Sequence, residues 1–250
     1  KDTSTNPVYA GSSILNAGTI KVAASGSSYI DNLDIEVKQS GGGITNLNTI
    51  EASANADSYI GDLYLETGSA NSTILNSGTI EALATANSEV GRLYVETLGT
   101  SSTIDNAGTI GAVAKTSSYA AVEVNAYQTG DTIINSGTML ASATAGGTAY
   151  ASIDGTSVNN SGGTLLAAES GGAAFVDLGA SNISGGTLKS IGAGAAIGVN
   201  ENETASVTSA KIAPGTNLVA SGPEAVLTLS GDTFGAASTI EAVNGGTVHV

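Results

Sequence analysis

The residues of this sequence best suited to chemistry are carboxylates and tyrosines that recur at a fixed spacing. Glu36, Glu66 and Glu96 are evenly spaced along the chain, and Tyr64 and Tyr94 are separated by the same interval. Carboxylates stacked one above another either extend into water or share a cation such as calcium. Neighbouring tyrosines pack on each other or present their rings to a sugar or a protein. We therefore take these five side chains as candidate surface contacts.

The sequence contains few residues of the types that usually carry catalysis. The only histidine is His249, cysteine is absent, and Arg92 is the only arginine. No calcium-binding loop of the Asp-x-Asp-x-Asp-Gly type is present, so only the glutamate spacing points to calcium. We predict a protein that is not an enzyme and holds no cofactor. The alternative is a β-helix that binds or cleaves polysaccharides with clustered carboxylates.

A second set of polar residues has a structural explanation. An Asn-x-Gly-Thr pattern places asparagines one repeat apart, where side-chain amides can hydrogen-bond from one turn of the chain to the next. We predict a structural ladder made of Asn16, Asn46, Asn76, Asn106, Asn135 and Asn160.

The asparagines belong to a repeat that runs along most of the chain. Its clearest copy is Ile74-Leu75-Asn76-Ser77-Gly78-Thr79-Ile80. The threonine that follows the turn recurs as Thr19, Thr49, Thr79, Thr109, Thr138, Thr164, Thr187, Thr216 and Thr247. A period of this length, nearly constant in the first copies, indicates a solenoid. Apolar residues alternate within each copy, as in Ile80, Ala82 and Ala84, which indicates strands.

We therefore predict an all-β fold, a parallel β-helix of about nine coils of 23–31 residues with three strands per coil. Ile20, Ile50, Ile80 and Ile110 should stack along its axis. An antiparallel sandwich or barrel also accommodates many short strands, but it gives no reason for the fixed spacing.

The sequence also predicts how the chain is organised. We assign residues 1–10 to an N-terminal lead-in and residues 11–250 to one continuous solenoid. Regular 30-residue coils occupy 11–130 and looser coils occupy 131–250. Within the looser part, the segment 194–208 carries Glu-Asn-Glu and is expected to bulge out as a loop.

Composition restricts the environment and the partners. The net charge is −15 with only 7 Lys and Arg residues, which argues against nucleic acid as a partner. No apolar run is long enough to span a bilayer, so we predict no membrane insertion. The lack of cysteine fits a long secreted bacterial protein.

The Asn-x-Gly-Thr-Ile copies, with variants Gly-Gly-Thr-Leu, Pro-Gly-Thr-Asn-Leu and Gly-Gly-Thr-Val, resemble the passenger regions of bacterial autotransporters and filamentous-haemagglutinin-like adhesins. The resemblance covers most of residues 11–250, although the coils are longer than is usual in that family. It implies a right-handed β-helix, secreted or displayed on the bacterial surface, that acts in adhesion, biofilm formation or host contact. Host or matrix glycans or proteins are the implied partners.

Neither terminal segment resembles a capping helix, and an uncapped solenoid exposes unpaired strand edges. We therefore expect the segment either to continue in a longer chain or to associate end to end as a subunit of a surface or matrix filament.

Overall fold

A computed structural model describes residues 8–10 and 13–250, and this part of the chain is built of β-strands and turns. Its first strands are β1 (Val8–Ala10), β2 (Ser13–Asn16), β3 (Thr19–Ser25), β4 (Tyr29–Val37), β5 (Gly43–Asn46), β6 (Thr49–Asn55), β7 (Tyr59–Thr67), β8 (Thr73–Asn76), β9 (Thr79–Thr85), β10 (Glu89–Thr97), β11 (Thr103–Asn106), β12 (Thr109–Lys115), β13 (Tyr119–Ala126), β14 (Thr132–Asn135) and β15 (Thr138–Thr144). The later strands are β16 (Thr148–Gly155), β17 (Val158–Asn159), β18 (Thr164–Ser170), β19 (Ala173–Asp177), β20 (Asn182–Ser184), β21 (Thr187–Ile191), β22 (Ala195–Val199), β23 (Thr204–Thr208), β24 (Lys211–Ile212), β25 (Asn217–Ser221), β26 (Val226–Ser230), β27 (Thr233–Phe234), β28 (Thr239–Val243) and β29 (Thr247–His249).

These strands form three parallel sheets, and each coil contributes one strand to each sheet. Sheet 1 has ten strands, every third strand from β1 to β28. Sheet 2 has ten, from β2 to β29, and sheet 3 has nine, from β3 to β27. The predicted all-β parallel solenoid with three strands per coil is confirmed. Strand β1 already pairs with β4, so sheet 1 begins inside the range 1–10. Residues 1–7 and 11–12 lie outside the described residues.

Ladders of like residues fill the interior, as the repeat predicts. Ile20 pairs with Ile50, Ile50 with Ile80, and Ile80 with Ile110. The last three of these side chains are fully buried. On sheet 1, Leu63 and Leu65 are buried in the same way. Because side chains alternate between the two faces of a strand, the residues between these core positions face outward.

The asparagine ladder is the polar part of this interior. Each amide nitrogen donates to the side-chain oxygen of the next asparagine, at 2.7 to 2.8 Å, along the whole predicted series Asn16, Asn46, Asn76, Asn106, Asn135 and Asn160. The Asn76 nitrogen also donates to the Thr109 carbonyl oxygen at 2.9 Å. Asn76 is completely buried. The ladder therefore satisfies buried polar groups that would otherwise be costly.

Glycine follows the ladder because successive coils approach closely at this turn. A Cβ atom on Gly78 would lie 1.9 Å from the Asn48 carbonyl oxygen, and one on Gly108 would lie 2.0 Å from the Gly78 carbonyl oxygen. At these two positions glycine leaves room for this approach.

The segment 194–208 does not bulge out as a loop. It forms β22 and β23, which pair with β25 and β26 in sheets 1 and 2. Ala195, Ile197 and Val199 point inward and are buried, and their alternation outweighs the nearby charges. Only the turn around Asn202, whose φ is +65°, separates the two strands.

A second polar column differs from coil to coil. The Ser72 backbone nitrogen donates to Ser102 Oγ at 3.1 Å, and the Ser102 nitrogen donates to Asp131 Oδ1 at 2.8 Å. Thr97 Oγ1 donates to the same carboxylate at 3.2 Å. One coil earlier, Thr67 Oγ1 is buried without a hydrogen-bond partner among the described residues. The longer Asp131 side chain reaches its threonine, and the serine at the equivalent position does not.

Asn76→Ala is expected to lower the free energy of unfolding by about 3 kcal/mol, because it leaves the buried amides of Asn46 and Asn106 unpaired on one side. Chemical denaturation followed by circular dichroism measures this. Leu75→Thr is the matched control on the adjoining outward position, where the preceding coil already carries Thr45. Equal losses in the two variants would contradict a structural role for the ladder.

Thr67→Val is expected to raise the free energy of unfolding by about 1 kcal/mol, since it removes an unpaired buried hydroxyl at a position where the preceding coil has Val37. Thr97→Val should lower the free energy of unfolding by about the same amount, because Asp131 loses a donor. Denaturation curves of the two variants should shift in opposite directions, and a shift in the same direction would refute this account.

Candidate functional site

The outer face of sheet 1 carries all five predicted surface contacts. Glu36, Glu66 and Glu96 are paired in register on β4, β7 and β10, and Tyr64 pairs with Tyr94 beside them. Neighbouring strands lie about 4.8 Å apart, so these side chains form two adjacent columns. The structure therefore brings the predicted residues together on a single face.

The glutamate column lies in a half-buried environment that disfavours its negative charge. Burial, with the charges of Glu36 and Glu96 on either side, raises the pKa of Glu66 to about 7. Burial also raises the pKa of Glu96, which is only 8% exposed, against a lowering by its hydrogen bond with Asn125. Lys38 Nζ pairs with Glu36 at 3.0 Å. The column is thus accommodated by a lysine at one end, an amide at the other and proton uptake in the middle.

Cation sharing was the other option for this column. In residues 8–10 and 13–250, no group of three or more His, Asp and Glu side chains is placed to hold a metal ion.

The tyrosine pair packs on itself. The rings of Tyr64 and Tyr94 lie 4.7 Å apart with 2° between their planes, so their faces point along the solenoid axis. Their edges and hydroxyls therefore face solvent. Tyr64 Oη donates to Asp62 Oδ2 at 3.4 Å, and Arg92 Nη1 donates to Tyr94 Oη at 3.2 Å. Burial and Asp62 raise the pKa of Tyr64 to about 12.

Arg92 lies at a β-bulge in β10, and the paired strand β13 of the next coil has one residue fewer there. Strand β10 has nine residues and β13 has eight, and the register shifts between Val90 and Leu93. A Cβ on Gly91 would lie 2.9 Å from the Gly61 carbonyl oxygen of the preceding coil, so glycine allows the two coils to approach closely there. The bulge directs Arg92 along the face, where its Nε lies 2.9 Å from Glu123 Oε1.

Two adjoining cavities open beside this ion pair, and we refer to them together as the groove. One has a volume of about 390 Å³ and the other about 300 Å³, and both are bordered by Arg92 and Tyr119. The larger is lined by Arg92, Tyr119, Glu123, Asn125, Tyr150, Ser152, Asp154 and Glu203. The smaller is lined by Asp62, Glu89, Gly91, Arg92, Tyr94 and Tyr119.

One end of the groove is fixed by a network of hydrogen bonds. Asn200 Nδ2 donates to Asp177 Oδ2 at 2.6 Å and to Tyr150 Oη at 3.1 Å. Tyr150 Oη donates to Asp177 Oδ2, and the Asn200 backbone nitrogen donates to Glu203 Oε2 at 2.9 Å. Asp177 is 1% exposed. The turn that follows β22 is therefore tied to two neighbouring coils.

The carboxyls of Asp177 and Glu203 share a hydrogen bond. Burial and the charge of Asp177 raise the pKa of Glu203 to about 7, against a lowering by the Asn200 backbone. Glycosidases keep their two carboxyls about 5 to 9.5 Å apart. A pair in hydrogen-bond contact lacks that spacing.

Sequence reasoning missed most of the groove. Arg92 stood out only as the single arginine, and no spacing pointed to Tyr150, Asp154 or Glu203. Aligning the coils would have indicated part of it, because Asn125 and Asp154 continue the column that begins with the glutamates.

Comparison with protein-family models, with curated proteins and with solved structures finds no match to this chain. The described residues include no helix that is both long and apolar enough to cross a membrane. The solenoid is compatible with β-helical repeat proteins.

Glu66→Gln tests the electrostatics of the glutamate column. Because the pKa of Glu66 is raised from 4.5 to about 7 in the folded state, the folded state binds more protons between these pH values. The free energy of unfolding therefore falls as pH rises from 4.5 to 7. The variant should reduce this slope and raise the free energy of unfolding at pH 8 by about 1 kcal/mol, after allowance for solvent screening.

The matched control is Glu201→Gln, at an exposed turn. Denaturation midpoints at pH 4.5, 6 and 8 measure the slope. An unchanged slope in Glu66→Gln would show that the column is fully screened by solvent.

Proposed function

We propose that this chain is a non-catalytic structural and adhesive β-solenoid, secreted or displayed on the bacterial surface as part of an adhesin or filament. The sheets give a rod on the order of 40 Å long, since ten strands are stacked at about 4.8 Å. Its acidic composition favours solubility of a long molecule. The groove on sheet 1 is the observation that supports adhesion.

The groove differs in chemistry from the outer face of sheet 3. There, aliphatic side chains such as Leu83, Val113 and Leu140 face outward on strands that begin with threonine. The groove instead combines tyrosine hydroxyls, carboxylates, amides and an arginine around cavities within the range typical of ligand sites. We infer that the adhesive contacts are made on sheet 1, by glycans or proteins of a host or matrix.

Polysaccharide binding is the second candidate. The same groove favours it, because its lining is rich in side chains that form hydrogen bonds with sugar hydroxyls. Cleavage would require two carboxyls at the separation that glycosidases use. End-to-end association or continuation in a longer chain stays a prediction, as does the lack of nucleic-acid and membrane partners.

Tyr119→Ala is expected to weaken binding to immobilised glycans or matrix proteins at least tenfold, because it removes the side chain that borders both cavities of the groove. Tyr127→Ala is the matched control, since Tyr127 is exposed and lies outside the lining of both cavities. A glycan and matrix-protein array read with both variants measures the effect.

Failure of the wild-type chain to bind any array component, or equal losses in the two variants, would overturn the adhesive role of the groove. A reducing-sugar assay run on the polysaccharides that bind tests the non-catalytic part. Release of reducing ends that disappears with one carboxylate substitution would replace adhesion with polysaccharide cleavage.

A further inference from the structure

The side chains that line the groove are mostly acidic. Among the described residues that line it, Asp62, Glu89, Glu123, Asp154 and Glu203 are acidic and Arg92 is the single base. That guanidinium is engaged, since its Nε contacts Glu123 and its Nη1 donates to Tyr94. An anionic ligand such as a sulfated or uronic glycan would meet uncompensated carboxylates. The groove is therefore suited to a ligand that carries positive charge.

Burial affects two of these carboxyls. Burial raises the pKa of Glu123 despite the opposing charge of Arg92, and it raises the pKa of Glu203. Carboxylates whose charged form is destabilised by burial are stabilised by a cation that enters beside them. Asp154 continues the column from Asn125 and also lines the larger cavity.

The other lining groups match a polyhydroxylated ligand. Tyr119, Asn125 and Ser152 offer hydroxyls and an amide that both donate and accept hydrogen bonds. In the larger cavity the exposed lining is mostly polar. A smaller apolar cavity of about 230 Å³, lined by Tyr150 and Phe175, adjoins it at Tyr150.

The pairing of the backbone in the groove also disfavours an extended peptide as the ligand. The groove crosses β7, β10, β13 and β16, and each of these strands is paired on both sides within sheet 1. No strand edge is open there for an extended peptide to join by main-chain hydrogen bonds. A bare metal ion is also poorly matched, since the described residues lack a group of three or more suitable ligands.

We propose that the groove binds glycans that carry protonated amines, such as polymers of deacetylated amino sugars. Ammonium groups pair with Asp154 and Glu123, and the ring hydroxyls bond to Tyr119, Asn125 and Ser152. This assignment rests on the adhesive function proposed above and gives it a ligand class.

The test compares glucosamine oligosaccharides with N-acetylglucosamine oligosaccharides of equal length by isothermal titration calorimetry at pH 6. The free-amine series should bind at least tenfold more tightly, and raising the salt from 50 to 300 mM should weaken that binding several-fold. Asp154→Asn should reduce it at least fivefold. Asp105→Asn, on the outer face of sheet 2, is the matched control and should leave binding unchanged.

The outcomes separate this inference from the function on which it rests. Equal or tighter binding of the acetylated series would overturn the amine selectivity while adhesion to glycans stands. Failure of both series, with array binding to other glycans intact, would also overturn it. Oligolysine binding as tight as that of the amino-sugar series, with the same loss in Asp154→Asn, would replace the glycan with a cationic peptide. No binding in any assay would remove both proposals.

Discussion

The structure depends on the register in which a buried side-chain amide of one coil meets the amide of the next. Asn76 lies wholly inside the solenoid, where it accepts a hydrogen bond from Asn46 and donates to Asn106. Slipping one coil by a single residue would bring an outward side chain to this position and leave buried donors and acceptors unpaired. Hydrophobic burial also opposes a slip of one residue, but it discriminates less against a slip of two residues, because isoleucine and alanine ladders are non-directional. The amide ladder selects one register.

That register also fixes the outside of the molecule. Once the core residues stack, each outward residue must lie above its equivalent, whether or not the pair attract each other. Glu36, Glu66 and Glu96 are forced together in this way, and burial with mutual repulsion raises the pKa of Glu66 to about 7. Tyr64 and Tyr94 meet under the same constraint, but their rings gain by stacking. A repetitive core therefore produces columns of like chemistry on its surface.

The groove lies where the repeat becomes irregular. The coil that runs from Asn106 to Asn135 is shorter than the coil before it, and the missing residue is the one that makes the bulge in β10. Arg92 at this bulge has no equivalent in β13, so it extends to Glu123 instead of continuing a column. Further along, the turn after β22 supplies Asn200 and Glu203, which close the far end. A cavity forms because coils of unequal length cannot cover each other completely.

The sequence by itself determined the parallel solenoid, its three strands per coil, the asparagine ladder and the stacking of Ile20, Ile50, Ile80 and Ile110, because period and alternation are local properties of the chain. It also aligned the glutamate and tyrosine columns, which share the same period. Only the tertiary structure decided that Arg92, Tyr150 and Glu203 line one groove. They lie far apart in the chain with no common spacing, and they meet because a bulge, a shortened coil and a turn shift their register. The tertiary structure also placed residues 194–208 in the sheets, since the burial of Ile197 and Val199 outweighs the charges that suggested a loop.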